Sequence, residues 1–358
     1  MIQNIARNWR YFIPFRKRIG YIGWLGYENL GDEAMYYAFK KLYKNFNVLP
    51  FKHTYKIRLY ESITSRKIYN SVFLGGGTFI NSDGSSLRNL KIAQQRYKGI
   101  YIWGSGVRNP CFWEDIHRYK NCFTEWADLL NKCQYVGVRG PLSKQLLDCN
   151  GYLNSEILGD PALSLSRNVI IRKRKMKKLG INIGISNGYV WGNEGEILDF
   201  VVEFAALMIQ KGWKVTFLPV WSKDLAYIEE AVSKLNGKAD IFYQYSSITS
   251  TLDFLQGCDI FVGEKLHSVI LAMCAYTPSV MLEYRPKCLD FMASMGLERF
   301  NMRTDRLSMY KLLDNLEELS SKSDVFQDEM SSKILFYKNR QRERAMSISR
   351  DIIRQEKG

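Results

Sequence analysis

Ile19-Gly20-Tyr21-Ile22-Gly23-Trp24-Leu25-Gly26-Tyr27-Glu28-Asn29-Leu30-Gly31-Asp32-Glu33-Ala34 runs from a β-branched and aromatic segment, through a glycine-bearing loop, into a helical pattern. That order opens a βαβ unit: a buried strand, a turn at its carboxyl end, and a helix returning over the sheet. The strand is predicted over Ile19–Trp24 and the helix over Asp32–Phe46. The same rhythm places strands at Asn47–Phe51, Ser71–Leu74, Ile100–Trp103 and Tyr135–Val138, with helices at Leu87–Tyr97 and Pro141–Cys149. It restarts with strands at Ile181–Ser186, Lys214–Pro219, Ile241–Tyr243, Asp259–Val262 and Ser279–Glu283. Helices fit between them at Gly195–Gln210, Lys223–Leu235, Thr249–Gln256, Leu266–Ala275 and Pro286–Met295. The prediction is an α/β protein of two facing doubly wound Rossmann-like domains, with C-terminal helices packing back across their junction. The expected divisions are a basic aromatic arm at 1–18, α/β domains at 19–165 and 179–305, a polybasic linker at 166–178, and helices at 306–358.

Composition agrees with this reading. A chain of 358 residues exceeds one ordinary core and suggests two. It is 46% hydrophobic and 24% charged, with 26 Gly and 8 Pro, which excludes disordered and collagen-like classes. No apolar run approaches the ~18 residues that span a bilayer; the longest candidate, Ser268–Leu282, contains polar residues and is broken by Pro278. The net charge of +15 resides in three places: residues 1–18, the run Arg172-Lys173-Arg174-Lys175-Met176-Lys177-Lys178, and residues 338–358. Elsewhere acids and bases balance, which is not the continuous basic groove of a nucleic-acid enzyme. Trp9-Arg10-Tyr11-Phe12-Ile13-Pro14-Phe15-Arg16-Lys17-Arg18 mixes aromatics with cations, a composition suited either to an anionic headgroup layer or to a solvated arm. It lacks the pattern of a signal peptide. Seven cysteines without any C-x-x-C point to reduced thiols in a cytoplasmic protein, at the inner face of the membrane if the arm binds lipid.

In open α/β sheets, ligands bind beyond the carboxyl ends of the strands, so the chemistry is sought there. After the first strand, Asp32 or Asn29 is placed to cap the helix, and Asp32 and Glu33 also bring carboxylates to the cleft mouth. The spacing is not G-x-G-x-x-G, so a dinucleotide site is unsupported. Phe73-Leu74-Gly75-Gly76-Gly77-Thr78-Phe79 is either a backbone cradle for phosphate or sugar oxygens or a tight turn. Trp103, ending another strand, is either a sugar platform or a core residue. In Val138-Arg139-Gly140-Pro141, Arg139 can grip an anion or form an ion pair. Gly159-Asp160-Pro161 supplies either a carboxylate or a turn. Val262-Gly263-Glu264-Lys265-Leu266-His267-Ser268 carries His267, one of only three histidines, to a strand–helix junction. Glu283-Tyr284-Arg285-Pro286-Lys287 ends the next strand with an acid and two cations.

Taken in order, six of these segments resemble the polysaccharide pyruvyl transferase family. They are Asn29-Leu30-Gly31-Asp32-Glu33-Ala34, Gly75-Gly76-Gly77, Val138-Arg139 with Ser143, Gly159-Asp160-Pro161-Ala162, Leu266-His267 and Tyr284-Arg285-Pro286-Lys287. The likeness runs from about residue 18 to residue 300. It implies a GT-B-like fold and transfer of the enolpyruvyl group of phosphoenolpyruvate (PEP) onto a sugar, building a pyruvate ketal on a surface glycan. It also implies an acceptor side in the first domain and a donor side in the second. Arg139 and His267 match the family's arginine and histidine; the resemblance implies that Arg139 binds the PEP carboxylate or phosphate and that His267 binds phosphate or acts as general acid. Lys287 and Lys265 are further anion-binding candidates, with Leu266 between Lys265 and His267; Asp32 or Glu33 is expected to accept the hydroxyl proton. Asn29, Gly76, Gly77, Asp160 and Glu283 complete the candidate substrate-binding set. The family has arginine where Lys265 stands, and Glu264 beside it adds a negative charge.

The expected partners are therefore PEP as donor substrate and a sugar acceptor on a lipid-linked oligosaccharide, with peripheral membrane contact and no nucleic acid. No cofactor and no metal are expected, the three histidines lying in separate segments. One alternative is a GT-B glycosyltransferase using a nucleotide-activated sugar, with Lys265, Arg285 and Lys287 on the diphosphate and Glu283 on the ribose. A second is a non-catalytic glycan-binding homologue.

Overall fold

The computed structural model describes residues 17–114, 120–168 and 177–354, excluding the side chains of residues 323 and 324. The aromatic arm up to residue 16 and most of the polybasic linker lie outside the described residues. The first half contains strands β1 (Arg18–Ile22), β2 (Asn47–Pro50), β3 (Ser71–Leu74), β4 (Gly77–Ile80), β5 (Gly99–Val107), β6 (Tyr135–Val138) and β7 (Glu156–Ile157). Its helices are α1 (Leu30–Leu42), α2 (Tyr55–Thr64), α3 (Ser85–Arg96), α4 (Pro110–Trp113), α5 (Phe123–Leu130) and α6 (Pro141–Cys149). The second half contains β8 (Lys178–Asn182), β9 (Lys214–Phe217), β10 (Asp240–Ile241), β11 (Ile260–Gly263), β12 (Ser279–Glu283) and β13 (Asn301–Arg303). Between them run α7 (Glu194–Gln210), α8 (Leu225–Lys234), α9 (Ile248–Gln256), α10 (Leu266–Cys274) and α11 (Pro286–Met295), and α12 (Met309–Ser321) and α13 (Ser323–Arg354) follow.

Both sheets are parallel throughout. The first is ordered β2-β1-β3-β5-β6-β7, with β4 pairing to β5 off that path. The second is ordered β10-β9-β8-β11-β12-β13, the doubly wound order in which connections reverse direction between β8 and β11. The corresponding reversal in the first sheet lies between β1 and β3. The loops leaving these four strands face one another across the junction.

Apolar burial makes the junction firm. One core cluster takes Leu30, Ala34, Met35 and Ala38 of α1, and Ala162, Leu163 and Leu165, together with the interior of the second half. Backbone bonds cross as well: the Leu30 N–H donates to the Val220 carbonyl at 2.8 Å, and Arg167 N–H to Cys274 at 2.9 Å. Helix α13 straps the two halves, with Gln341 donating to the carbonyls of Asp160 and Leu158, Arg344 making a two-pronged pair with Glu156, and Tyr337 donating to Ser294. The expected return of the C-terminal helices across the junction is thus observed.

A buried charge fixes a further point. Helix α6 begins at Gly140 without a side-chain cap of its own. Asp290 on α11 supplies one, accepting the Ser143 N–H at 3.0 Å and its hydroxyl at 2.7 Å. The same carboxylate lies 3.6 Å from Nε of fully buried Arg139. Removing one member of such a pair strands the other without compensation. Asp290→Ala is therefore expected to lower stability by about 3–5 kcal/mol, read as a fall in the urea midpoint. An unchanged midpoint would show that the pair does not hold the halves together.

Candidate active site

A cleft of about 530 Å³ opens where the carboxyl ends of the two sheets meet. Of the residues singled out in the sequence, Asn29, Asp32, Gly77, Arg139, Lys265, Leu266, His267 and Lys287 line it. Glu33, Gly76, Asp160 and Glu283 do not, and each has another occupation. The Glu33 carboxylate accepts the Gly26 N–H at 2.8 Å, holding the loop after β1. A Cβ on Gly76 would sit 2.1 Å from Met35 Sδ, so this glycine lets α1 approach the strand end. Glu283 accepts from Asn301 at 2.6 Å, and burial raises its carboxyl above the usual range.

Asn29 is the residue that caps α1. Its side chain accepts the N–H groups of Gly31 and Asp32 at 3.0 and 3.3 Å. The Asp32 carboxyl is thereby spared for the cleft, where burial raises it to about 6 against the opposing pull of His267 and Lys287. His267 opens α10 on the other half and reaches Asp160, Nε2 to Oδ2 at 3.6 Å. Asp160 is wholly buried; its other oxygen accepts the Ala162 N–H, so it forms the Asp-Pro turn as well as facing the imidazole. Burial pushes its carboxyl up, but hydrogen bonding and charge from His267, with Arg139, outweigh that and hold it below the ordinary range.

The cations divide by occupation. Arg139 donates to the Thr78 hydroxyl at 3.3 Å and faces Asp290, so it is the ion-pair residue of one sequence reading, and it also lines the cleft. Lys265 donates to the Ile185 carbonyl and the Ser186 hydroxyl at 2.6 and 2.8 Å. Glu264 turns inward, wholly buried, accepting the Gly184 N–H at 2.9 Å. Burial raises it to about 7, so the charge expected beside the anion site faces away from the cleft and is partly protonated at neutral pH. Arg285 donates to the carbonyls of Tyr189 and Ser186 and lies 5.7 Å from the Trp113 ring. Lys287 Nζ stands 4.9 Å from the Tyr284 ring centroid, and burial among cations, Arg285 first, lowers it to about 7.

Arg139, Arg285 and Lys287 thus share one cleft with the His267 imidazole and the Asp32 carboxyl. The polysaccharide pyruvyl transferase family profile matches residues 29–286. The chain belongs to the polysaccharide pyruvyl transferase family. It is accordingly a transferase of polysaccharide biosynthesis. No curated protein matches it in sequence. Its fold is similar to that of a glycosyltransferase from Rickettsia africae ESF-5 (TM-score 0.57, 10% identity, covering 95% of this chain and 99% of that one). It is also similar to a putative UDP-N-acetylglucosamine 2-epimerase from Listeria monocytogenes (TM-score 0.55, 10% identity, covering 90% and 94%). The UDP-GlcNAc 2-epimerase of Methanocaldococcus jannaschii gives a TM-score of 0.51 at 13% identity, covering 85% and 92%. These likenesses show the GT-B fold. Among the described residues, no helix is long and apolar enough to cross a membrane.

Three features in and around the cleft escaped sequence reasoning. Asp224 was placed within a predicted helix at Lys223–Leu235; it precedes α8 and presents a buried carboxyl to the cleft, raised to about 6 by burial. Asp290 carries no motif, because only the tertiary fold brings it to α6. Trp24 and Trp221 line the cleft from different halves, with no shared sequence signal. Trp103, left open above, is a wholly buried core residue among Phe39, Tyr43 and Phe73.

One contact sets the imidazole. A Cβ on Gly31 would lie 2.2 Å from His267 Nδ1, so only glycine lets α1 and α10 meet here. Gly31→Ala is expected to displace the ring, moving the His267 proton resonances in NMR while the other two histidines stay put. Unshifted His267 resonances would contradict the contact.

Proposed function

We propose that this family member transfers the enolpyruvyl group of PEP to a sugar of a surface polysaccharide or its lipid-linked precursor, giving a pyruvate ketal and phosphate. The observation that carries the reading is the meeting of Arg139, Arg285 and Lys287 with His267 and Asp32 in one cleft. PEP carries a carboxylate and a phosphate, and it needs cations to hold both and a proton at its methylene carbon to become electrophilic.

In this reading, Lys287 and Arg285 hold the phosphate, and Arg139, which lines the cleft beside Thr78, holds the carboxylate. His267, kept in place by Asp160 and Gly31, protonates the methylene carbon as general acid. The electron pair of the C=C bond forms the new C–H bond, leaving an oxocarbenium-like carbon. A sugar hydroxyl attacks that carbon while Asp32 takes its proton; phosphate departs, and a second hydroxyl closes the ketal, its proton returning to His267. Positioned acid–base catalysis of this kind contributes about 10²–10⁴-fold. The nucleotide-sugar alternative needs Glu283 on a ribose, and its carboxyl is engaged by Asn301 outside the cleft lining.

Two outcomes test the assignment. His267→Ala should lower acceptor-dependent phosphate release from PEP, followed by ³¹P NMR, by about 10²–10⁴-fold. Retained turnover would remove His267 from the chemistry. The second outcome is a pH profile. Asp32 must be ionised to act as base, so kcat/KM rises with pH through about 6, where its carboxyl titrates. Lys287 must be protonated to hold phosphate, so kcat/KM falls as pH rises through about 7. The result is a narrow bell, and Lys287→Arg, which stays charged, should move its alkaline limb to higher pH. An alkaline limb unmoved by that substitution would contradict the role given to Lys287.

A further inference from the structure

One wall of the cleft is aromatic in a way the donor chemistry does not use. Trp24, in the loop after β1, is 37% exposed and stacks on Tyr27 with ring centroids 4.9 Å apart. Trp221, from the loop after β9, meets Trp24 edge-on at 5.6 Å, and its indole N–H donates to the Tyr27 carbonyl at 2.9 Å. An antiparallel bridge between Asn29 and Trp221 ties this pair to the cap of α1, one turn from Asp32. Exposed tryptophan costs solvation, and here it is held rigidly by stacking and a cross-junction hydrogen bond. The shelf is therefore built before any ligand arrives.

The polar complement is beside it. Asp224 lines the same cleft and is wholly buried; its Oδ1 accepts the Ile185 N–H at 3.0 Å, while Oδ2 holds no hydrogen bond within the described residues. A buried acceptor without a donor is costly unless a ligand supplies one. The carboxyls of Asp32 and Asp224 make this wall unfavourable for phosphate. An uncharged ligand with an apolar C–H face and several hydroxyl donors matches both features. The C–H face carries partial positive charge and packs on the negative π-face of an indole.

We propose that Trp24, braced by Trp221, forms a stacking subsite for a neutral pyranose ring of the acceptor, with Asp224 Oδ2 accepting one of its hydroxyls. This deepens the pyruvyl-transfer reading and rests on it. The ring lies next to Asp32, so the attacking hydroxyl is delivered to the base from the shelf. Acceptor recognition thus depends on residues from both halves, whereas the phosphate-binding cations Arg285 and Lys287 come from the second.

The test is saturation-transfer NMR on the full chain with methyl β-glucopyranoside, methyl β-galactopyranoside and methyl N-acetyl-β-glucosaminide as probes. Wild type is expected to give signal on the C–H face of at least one glycoside. Trp24→Ala should weaken that binding roughly 5–10-fold, Trp24→Phe should restore most of it, and Asp224→Asn should weaken it by a similar factor. A thermal shift with PEP is measured on the same samples and should be unchanged by Trp24→Ala, which shows that the fold and donor site persist. Equal glycoside binding in wild type and Trp24→Ala, or no signal from any probe, would overturn the subsite. Glycoside binding lost in Trp24→Ala but no PEP shift in wild type would leave the shelf standing and sink the pyruvyl-transfer reading instead.

Discussion

The site depends on one contact across the junction: the buried carboxylate of Asp160, from the first half, against the imidazole of His267, from the second. Neither group can be placed by its own sheet alone. Asp160 is held by its turn through Ala162, and its backbone carbonyl is held by Gln341 of the C-terminal strap. His267 opens α10 and is pressed by Gly31 of α1. A change in the angle between the halves would separate the acid from the ring. That constraint accounts for the cross-junction core, the α13 strap and the cap that Asp290 gives to α6.

Burial also sorts the charges. Acids that would oppose an anionic donor are turned away or engaged: Glu264 onto the Gly184 amide, Glu283 onto Asn301, and Asp290 onto Ser143 and Arg139. Lys265, where the family has arginine, braces the loop after β8 through Ile185 and Ser186. Arg285 is engaged in the same way, by the carbonyls of Tyr189 and Ser186. On the proposed reading, the cations hold the anionic donor, and Asp32, Asp224 and the tryptophan shelf receive an uncharged ring.

Much of this was legible in the sequence because it rests on local signals. Strands Ser71–Leu74, Tyr135–Val138 and Ser279–Glu283 and helices Pro141–Cys149 and Pro286–Met295 have the bounds expected of them, since β-branched runs and Pro at the first helical turn are strong markers. Other bounds slipped. β8 was expected at Ile181–Ser186 and runs over Lys178–Asn182, because parallel pairing with β9, Lys178 opposite Lys214, overrides the polar start. Helix α2 was missed because its apolar stripe is thin, with only Ile57 and Glu61 buried. Strands β7 and β13, of two and three residues, exist through their neighbours. In the site, Asp32 and His267 were legible from their places at strand ends. Asp224 and Asp290 were not, because their partners lie elsewhere in the chain.

The most direct measurement is a calorimetric titration of the full chain with PEP, run beside UDP-N-acetylglucosamine, on wild type and Lys287→Ala. The account predicts saturable binding of one PEP per chain, weakened at least tenfold by Lys287→Ala, and no saturable heat from the nucleotide sugar. Saturable binding of the nucleotide sugar with none of PEP would contradict it and favour the glycosyltransferase alternative.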